Sequence, residues 1–324
     1  MQVRALILFF LLFQNAFAQS VADTIKVTEV QKHLAFLASD SLKGRGNYSP
    51  ELHRAAQYIA GEFQKAGATF LPSLSSYFQP FTTKDVDQSR LLPDSAGNYH
   101  PAEVLLNVIG VLPGKSLPNE VVLFAAHYDH IGVEKYSKDS INNGANDNAS
   151  GTAALITLMH YYAQRANNER TLVFCAFAGE EIGLKGSAVL AAVLNARTVK
   201  AVINIEMIGR FGAVGQNSFF ITGEYKSNLA AHFRKVLKGQ HIRVRREPDA
   251  EKQLFMRSDN YPFAQKGIPA HTIMSSDDDD GCYHQTCDEW SRIDMANMTQ
   301  IIIAITKGCR ALIDGTFTPS RIRL

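Results

Sequence analysis

The sequence predicts an α/β fold in a single domain, with a mostly parallel central sheet and helices on both faces. The chain has 324 residues, 46% of them hydrophobic and 20% charged, which is an ordinary composition for one large globular domain. From residue 121 onward, short apolar runs alternate with longer amphipathic segments. Strands that alternate with helices are typical of parallel sheets, because each crossover connection places a helix on a face of the sheet.

Two amphipathic helices are predicted near the beginning of the chain. Val27–Ala38 has apolar residues at spacings of three and four, which is the helical period. Glu51–Ala66 has the same pattern, follows a Ser-Pro pair and ends at Gly67, as helices commonly do. Residues 69–120 alternate short extended segments, including Leu105–Leu112, with proline and glycine turns. Further helices are predicted at 152–165, 186–195, 228–238, 259–266 and 294–313.

Three later apolar runs have the length of buried strands, and polar side chains follow each of them. The runs are Val121–Ala126, followed by His127 and Asp129; Leu172–Ala178, followed by Glu180 and Glu181; and Val202–Ile205, followed by Glu206. The carboxyl ends of parallel strands meet at one edge of the sheet, where open α/β sheets bind ligands. We therefore expect these polar side chains to share a site.

The residue types at that edge indicate a metal site. Adjacent carboxylates at a buried edge are costly unless a cation neutralises them. Glu180 and Glu181 are expected to point in different directions, because neighbouring side chains alternate along an extended chain. One could then bind a metal ion while the other carries a proton. Asp147 in a Gly/Asn-rich loop and His284 in a late loop complete a donor set that suits Zn²⁺ or a pair of divalent ions. Taken alone, Asp147 would be read first as a helix cap.

The amino terminus has the pattern of a secretory signal peptide over residues 1–18. Arg4 precedes the short apolar run Ala5–Phe13, and Ala16-Phe17-Ala18 matches a cleavage site. The run is too short to span a bilayer, so residues 19–324 are expected to be one exported domain, secreted or periplasmic, without a membrane anchor. The net charge of +2 and the absence of any long basic run in the sequence argue against nucleic acid as a partner.

Export makes a disulfide possible. Cys175 and Cys309 lie within predicted core segments and are expected to be buried apolar residues. Cys282 and Cys287 bracket His284 in one short loop. A local disulfide that stiffens this loop is the favoured interpretation, and two free thiols or a thiol ligand are the alternatives.

Five separated segments together resemble the co-catalytic zinc aminopeptidase family, which also contains the glutaminyl cyclases. The segments are His127-Tyr-Asp129, Asp147-Asn148-x-Ser150-Gly151, Gly179-Glu180-Glu181-x-Gly183, Asn204-x-x-Met207-Ile208-Gly209 and Tyr283-His284. The resemblance covers about residues 27–313, and the Ser39-Asp40-x-Leu42-x-Gly44-Arg45 loop is similar to that of secreted bacterial members. It implies a zinc aminopeptidase-like fold and a zinc peptidase catalytic domain over residues 19–324.

The resemblance also implies a role for each site residue. Asp147 would bridge two zinc ions, with Glu181 and His284 completing one ion and His127 and Glu206 the other. Asp129 would orient His127. Glu180 would be the general base for a metal-bridging water and then the acid for the leaving amine. The Tyr283 hydroxyl would stabilise the oxyanion, with a packing aromatic as the alternative, and the Asp147–Asn148 peptide bond would be cis.

Two positions depart from the family pattern. Glu206 stands where members commonly have Asp. The extra methylene moves the carboxylate relative to the second zinc, although Glu can still ligate zinc. Ser258-Asp259-Asn260 stands where relatives often have Ser-Asp-His, a change that could alter the shape of the substrate pocket.

The function predicted first is therefore a secreted zinc aminopeptidase that hydrolyses the amino-terminal residues of peptides and holds two zinc ions per chain. A glutaminyl cyclase on the same fold is the first alternative. Cyclases use one zinc and tend to have Trp where Tyr283 stands. A non-catalytic binding relative is the second alternative, and the loss of Glu180 or of several ligands would have supported it.

Overall fold

A mixed sheet of eight strands runs through the computed structural model, which describes residues 25–134 and 139–324. The order across the sheet is β1-β2-β6-β3-β7-β10-β8-β9. The strands are β1 (Phe78–Phe81), β2 (Leu105–Leu112), β3 (Leu117–His127), β6 (Arg170–Phe177), β7 (Val199–Ile205), β8 (Ser218–Ile221), β9 (Arg243–Val244) and β10 (Ala270–Met274). The short strands β4 (Gly132–Val133) and β5 (Ile141–Asn142) pair separately.

The four central strands β6, β3, β7 and β10 are mutually parallel. His127 at the end of β3 is in register with Phe177 at the end of β6, and Ala125 is in register with Asn204 of β7. The segments that follow these strands therefore leave the sheet at the same edge. This edge is the one at which the sequence places its polar side chains.

Helices cover both faces of the sheet. The described helices are α1 (Val27–Leu37), α2 (Pro50–Lys65), α3 (Gly151–Arg165), α4 (Lys185–Val193), α5 (Leu229–Val236), α6 (Tyr261–Ala264) and α7 (Met295–Ile313). Alternate β3 residues show the division: Val122 and Phe124 pack in a core with α1, α2, α3, α5 and α7, whereas Leu123 and Ala125 pack with α4 and α6. The two cores confirm the predicted α/β fold with helices on both faces.

Most element boundaries lie close to the predicted ones. Helix α2 begins at Pro50 with the Ser49 hydroxyl accepting the Leu52 amide, as the Ser-Pro pair indicates. The helix predicted at 259–266 shortens to Tyr261–Ala264. Strand β10 has no counterpart in the prediction because His271 and Thr272 interrupt its apolar run. Both are fully buried.

The predicted signal peptide, residues 1–18, lies outside the described residues. Within residues 25–134 and 139–324, no helix combines the length and apolar character needed to cross a membrane.

Candidate metal centre

The polar residues predicted to share a site meet at the carboxyl edge of the central strands. All of them except His127 and Asp129 border a cavity of about 560 Å³. Asp147, Glu180, Glu181, Glu206, Tyr283 and His284 line its polar side, and Leu184, Met207, Leu254, Met256, Tyr261 and Met274 line its apolar side. A cavity of this size, with polar groups converging on one wall, is typical of a small-molecule or peptide-end site.

The loop that carries Asp147 is fixed at several points. Gly144 adopts a positive φ of 55°, and a Cβ there would lie 2.3 Å from the Asp147 carbonyl oxygen, so glycine is required. The Asp288 carboxylate accepts the amides of Asn146 and Asp147 at 2.9 to 3.0 Å. The Asp147–Asn148 peptide bond is cis, as the resemblance implied. These contacts place the Asp147 carboxylate at the cavity.

The two oxygens of Asp147 face two different histidines. Oδ1 lies 3.3 Å from His127 Nε2, and Oδ2 lies 3.2 Å from His284 Nε2. Glu181 Oε2 lies 3.1 Å from the same His284 nitrogen. A carboxylate placed between two imidazoles in this way has the geometry of a ligand that bridges two cations.

The spacing of these donors fits zinc. Tetrahedral zinc with bonds of about 2.0 to 2.1 Å separates its ligand atoms by about 3.3 Å. The Nε2 atoms of His127 and His284 lie at this spacing from the carboxylate oxygens, yet neither makes a well-aligned hydrogen bond to a described residue. Buried polar atoms usually have partners, so these nitrogens are the expected donors to a metal ion.

Glu206 lies at the same edge of the sheet, and hydrogen bonds occupy one of its two carboxylate oxygens. Its Oε2 accepts hydrogen bonds from the Ser258 hydroxyl and, at 3.4 Å, from the Asn204 amide. The other oxygen, Oε1, is the one available to a metal ion. Burial raises the pKa of Glu206 to about 7, although the charge of His127 acts in the opposite direction.

Glu180 and Glu181 differ in their electrostatic surroundings. Desolvation at the cavity wall raises the pKa of Glu180 well above its ordinary value, even though His127 favours its charged form. Burial also acts to raise the pKa of Glu181, but His130 and His284 outweigh it and hold this pKa below its ordinary value. The first environment suits a proton carrier and the second suits a permanently charged ligand.

The prediction that Glu180 and Glu181 alternate along an extended chain is wrong. Strand β6 ends at Phe177, and the chain then turns at Gly179, whose φ is 75°. The two glutamates therefore lie in a bend and not on an extended strand. Asp129 stabilises this bend, because its carboxylate accepts the amides of Glu180 and Glu181, each at 3.2 Å.

Asp129 has a less direct relation to His127 than the resemblance implies. Its Oδ1 lies 3.7 Å from His127 Nδ1, and the closer contact of that nitrogen is 3.2 Å, to the Asp129 backbone carbonyl. The orienting role of the Asp129 carboxylate stays a prediction. The contacts in the structure connect Asp129 to the turn that carries the glutamates.

Two residues near the site were not selected from the sequence. His130 is fully buried, and its Nδ1 lies 2.9 Å from Glu181 Oε1, within a possible metal-binding group with Asp147 and His284. Asp259 is also fully buried, and its carboxylate has no hydrogen-bond partner among the described residues. Burial raises the pKa of Asp259 to about 7. In the sequence, His130 could have been selected as a site residue because it lies only three residues after His127.

The loop that carries His284 contains the predicted disulfide, which joins Cys282 and Cys287. Cys175 and Cys309 are buried and free, as predicted. The Tyr283 ring stacks on the His284 ring, with 3.9 Å between centroids, while Tyr283 also lines the cavity. The tyrosine thus both packs against a candidate ligand and faces the space where a substrate would lie.

Sequence comparison decides the family. The model of peptidase family M28 matches residues 107–307, which is more than half of the chain. The chain belongs to peptidase family M28. It is thus a member of a zinc metallopeptidase family, and the resemblance found in the sequence is confirmed. The match includes all five segments that carry the resemblance.

The relatives of this M28 chain are consistent with that assignment. A probable zinc metalloprotease from Leptosphaeria maculans is 29% identical over 239 residues, covering 72% of this chain and 53% of the relative. The chain thus spans about half the length of that relative. A probable zinc metalloprotease from Pyrenophora teres f. teres is 29% identical over 195 residues, 58% of this chain and 37% of the relative.

Solved structures share the fold at low sequence identity. The zinc aminopeptidase BSAP from Bacillus subtilis has a TM-score of 0.69 at 15% identity, covering 93% of this chain and 98% of that one. The Bacteroides thetaiotaomicron glutaminyl cyclase has a TM-score of 0.64 at 16% identity, covering 88% and 97%. Because hydrolases and cyclases share this fold, the likeness does not distinguish the two activities.

Proposed function

We propose that this M28 chain is an exported zinc aminopeptidase that removes the amino-terminal residue of peptides. The observation that carries the proposal is the position of Asp147 between His127 and His284, with the Glu180 carboxyl on the same cavity wall. This arrangement supports two zinc ions per chain and a separate proton carrier, which is the combination that peptide hydrolysis requires.

The two proposed ligand sets share Asp147. Glu181 and His284 would complete one zinc ion, and His127 and Glu206 the other. His130 lies close enough to the first set to compete as a ligand or to orient Glu181 through its 2.9 Å contact. Because Glu206 Oε2 accepts a hydrogen bond from the Ser258 hydroxyl, Glu206 would bind the second zinc through Oε1.

Bound zinc would polarise the scissile carbonyl and acidify a water molecule. The residues of the chain would carry out the proton movements. A Glu180 carboxylate oxygen would accept the proton of the attacking water and return it to the nitrogen of the leaving amine. The raised pKa of Glu180 supports this role, because a carboxylate with a raised pKa takes up a proton from water more readily than an ordinary carboxylate does. The Tyr283 hydroxyl at the cavity would donate to the oxyanion.

Glu180→Gln tests the division of labour between the adjacent glutamates. This variant should keep its zinc and lose about 10² to 10⁴-fold of kcat, because it removes only the proton carrier. Glu181→Gln is the matched control. It should lose activity and, unlike Glu180→Gln, should also lose zinc. Zinc content by atomic emission and hydrolysis of an aminoacyl chromophore provide the readouts. Near-normal turnover of Glu180→Gln would refute the role.

Glutaminyl cyclisation is the competing activity, supported by the likeness to two glutaminyl cyclases that each cover about nine tenths of this chain. The same purified protein is therefore assayed with a peptide that begins with glutamine. About two zinc ions per chain at this site with hydrolysis would support the aminopeptidase. About one zinc ion at this site with cyclisation would replace it, and no turnover of either substrate would indicate a binding relative.

A further inference from the structure

A second group of metal-type ligands lies outside the peptidase site, where three helices meet. His33 belongs to α1, Glu62 to α2 and His160 to α3. One ligand atom from each residue lies within 4.8 Å of the others. His33 and Glu62 are buried, whereas the His160 side chain is 26% exposed.

The contacts orient these three side chains toward one another. His160 Nε2 lies 3.1 Å from Glu62 Oε2. The His33 and His160 rings stack at an interplanar angle of 10° with 6.1 Å between centroids. The Tyr58 hydroxyl lies 2.7 Å from His33 Nδ1, which leaves Nε2 of that ring as the nitrogen for a ligand. A hydrogen bond to the second nitrogen is the usual companion of a metal-binding histidine.

We propose that His33, Glu62 and His160 form an additional site for a divalent transition metal such as Zn²⁺. Two imidazoles and one carboxylate are a known zinc donor set, with a fourth position that water can fill. That position would open toward solvent beside the partly exposed His160. The ion would join α1, α2 and α3. None of its three ligands belongs to the proposed peptidase site.

A simple salt bridge accounts less well for the cluster. An ion pair of Glu62 does not explain His33, which is buried in the cluster and whose Nδ1 contacts the Tyr58 hydroxyl at 2.7 Å. Lys65 and Lys32 contact Glu62 through Oε1, at 2.7 and 3.9 Å, and leave Oε2 on the side of His160. Both lysine side chains are mostly exposed, so they can turn toward solvent when a cation binds.

Small side-chain movements would complete the site. Ligand atoms on tetrahedral zinc are about 3.3 Å apart. The three ligand atoms here lie within 4.8 Å of one another. His160 has solvent on one side, so its ring can move by the remaining distance without disturbing the helix core. Burial of Glu62 and the Tyr58 contact would hold the other two ligands in place.

The test measures metal at this site independently of peptidase activity. The full mature chain is dialysed against buffered free Zn²⁺, and zinc per chain is compared among the wild type, His160→Gln and Glu62→Gln. Each variant should hold one zinc ion fewer than the wild type. His241→Gln, at an exposed position, is the matched control and should match the wild type. Tyr58→Phe should weaken this site about 10-fold.

Diffraction from wild-type crystals soaked in Zn²⁺ keeps the proposal testable if a variant fails to fold. An anomalous peak at the zinc edge between His33, Glu62 and His160 is expected. In a background that lacks the proposed peptidase ligands His127 and His284, added Zn²⁺ should still raise the Tm, and His160→Gln should abolish that rise. Equal zinc content in all variants, or a wild-type map without the peak, would overturn the proposal.

Discussion

Replacing Arg45 tests how the protein holds the two segments that carry the metal ligands. Arg45 is fully buried and donates to four backbone carbonyls. The acceptors are Tyr128 at 2.8 Å, Leu37 at 2.5 Å, Asn143 at 2.7 Å and Gly144 at 3.0 Å. Tyr128 adjoins His127, and Gly144 begins the Asp147 loop. One guanidinium therefore connects the β3 end to that loop.

The structure gives an approximate size for the effect of Arg45→Met. A hydrogen bond from a charged donor contributes about 1.5 to 3 kcal/mol, so four such bonds would sum to about 6 to 12 kcal/mol if they were independent. The same substitution removes the cost of burying a cation, which is several kcal/mol. We expect a net loss of about 3 to 5 kcal/mol, which is a large part of the stability of an ordinary domain.

Arg45→Lys should have an intermediate effect. The ammonium keeps the positive charge near Asp147 and Asp129, but it has three donors and lacks the planar geometry that reaches four carbonyls. Zinc affinity should fall about 10 to 100-fold in the Met variant, because the ligands lose their common support. Urea unfolding with a chelator present and zinc competition against a chelating dye measure the two effects.

Arg170→Met is a matched control for this prediction. Arg170 is also buried and donates to the carbonyls of Leu312 and Phe317, but it begins β6 at the sheet edge opposite the site. It should lose stability without a matching loss of zinc affinity. If Arg45→Met lost less than about 1 kcal/mol, or if both variants weakened zinc binding equally, the positioning argument would be refuted.

Three further predictions follow from the site. Burial raises the pKa of Asp259 to about 7, so its neutral form is favoured by folding and the metal-free protein should lose stability as the pH rises from about 4 to 7. Asp259→Asn should remove about 3 kcal/mol of that loss between pH 5 and pH 8, measured by unfolding with chelator at these two pH values, and a pH-independent difference would contradict it. His127→Ala should lower the zinc content by about one ion per chain, and unchanged content would remove His127 from the ligand set. Replacing Cys282 and Cys287 by Ser should cost about 2 kcal/mol and accelerate zinc exchange at His284, whereas unchanged exchange would show that the disulfide does not support this ligand.

The sequence allowed the edge of the sheet to be predicted because a local pattern determines it. Strands β3, β6 and β7 each contain an apolar run that polar side chains follow, and parallel pairing then brings those ends together. His127, Glu180 and Glu206 could be located in this way without knowledge of any loop. Parallel strands place their carboxyl ends at one edge whatever their order in the sheet.

The residues that support the ligands could not be selected in the same way. The contacts of Arg45 with Asn143 and Gly144 join positions nearly one hundred residues apart, and no periodicity records them. Asp288 holds the Asp147 amide from a distant loop, and Asp259 enters the site from the segment before α6. These contacts depend on loop conformations that no local pattern determines. The turn at Gly179 is a further example, since the prediction treated this segment as extended.

The distribution of charge at this site favours the binding of a cation. Burial raises the pKa of Glu180, Glu206 and Asp259, while the histidines hold the pKa of Glu181 below its usual range. The carboxyl groups beside His284 are thus already balanced, and those around Glu206 are not. A cation bound near Glu206 would remove repulsion that the protein otherwise reduces by protonation. Because an ion that binds the folded state alone adds its binding free energy to stability, zinc at this site would act as part of the fold as well as of the chemistry.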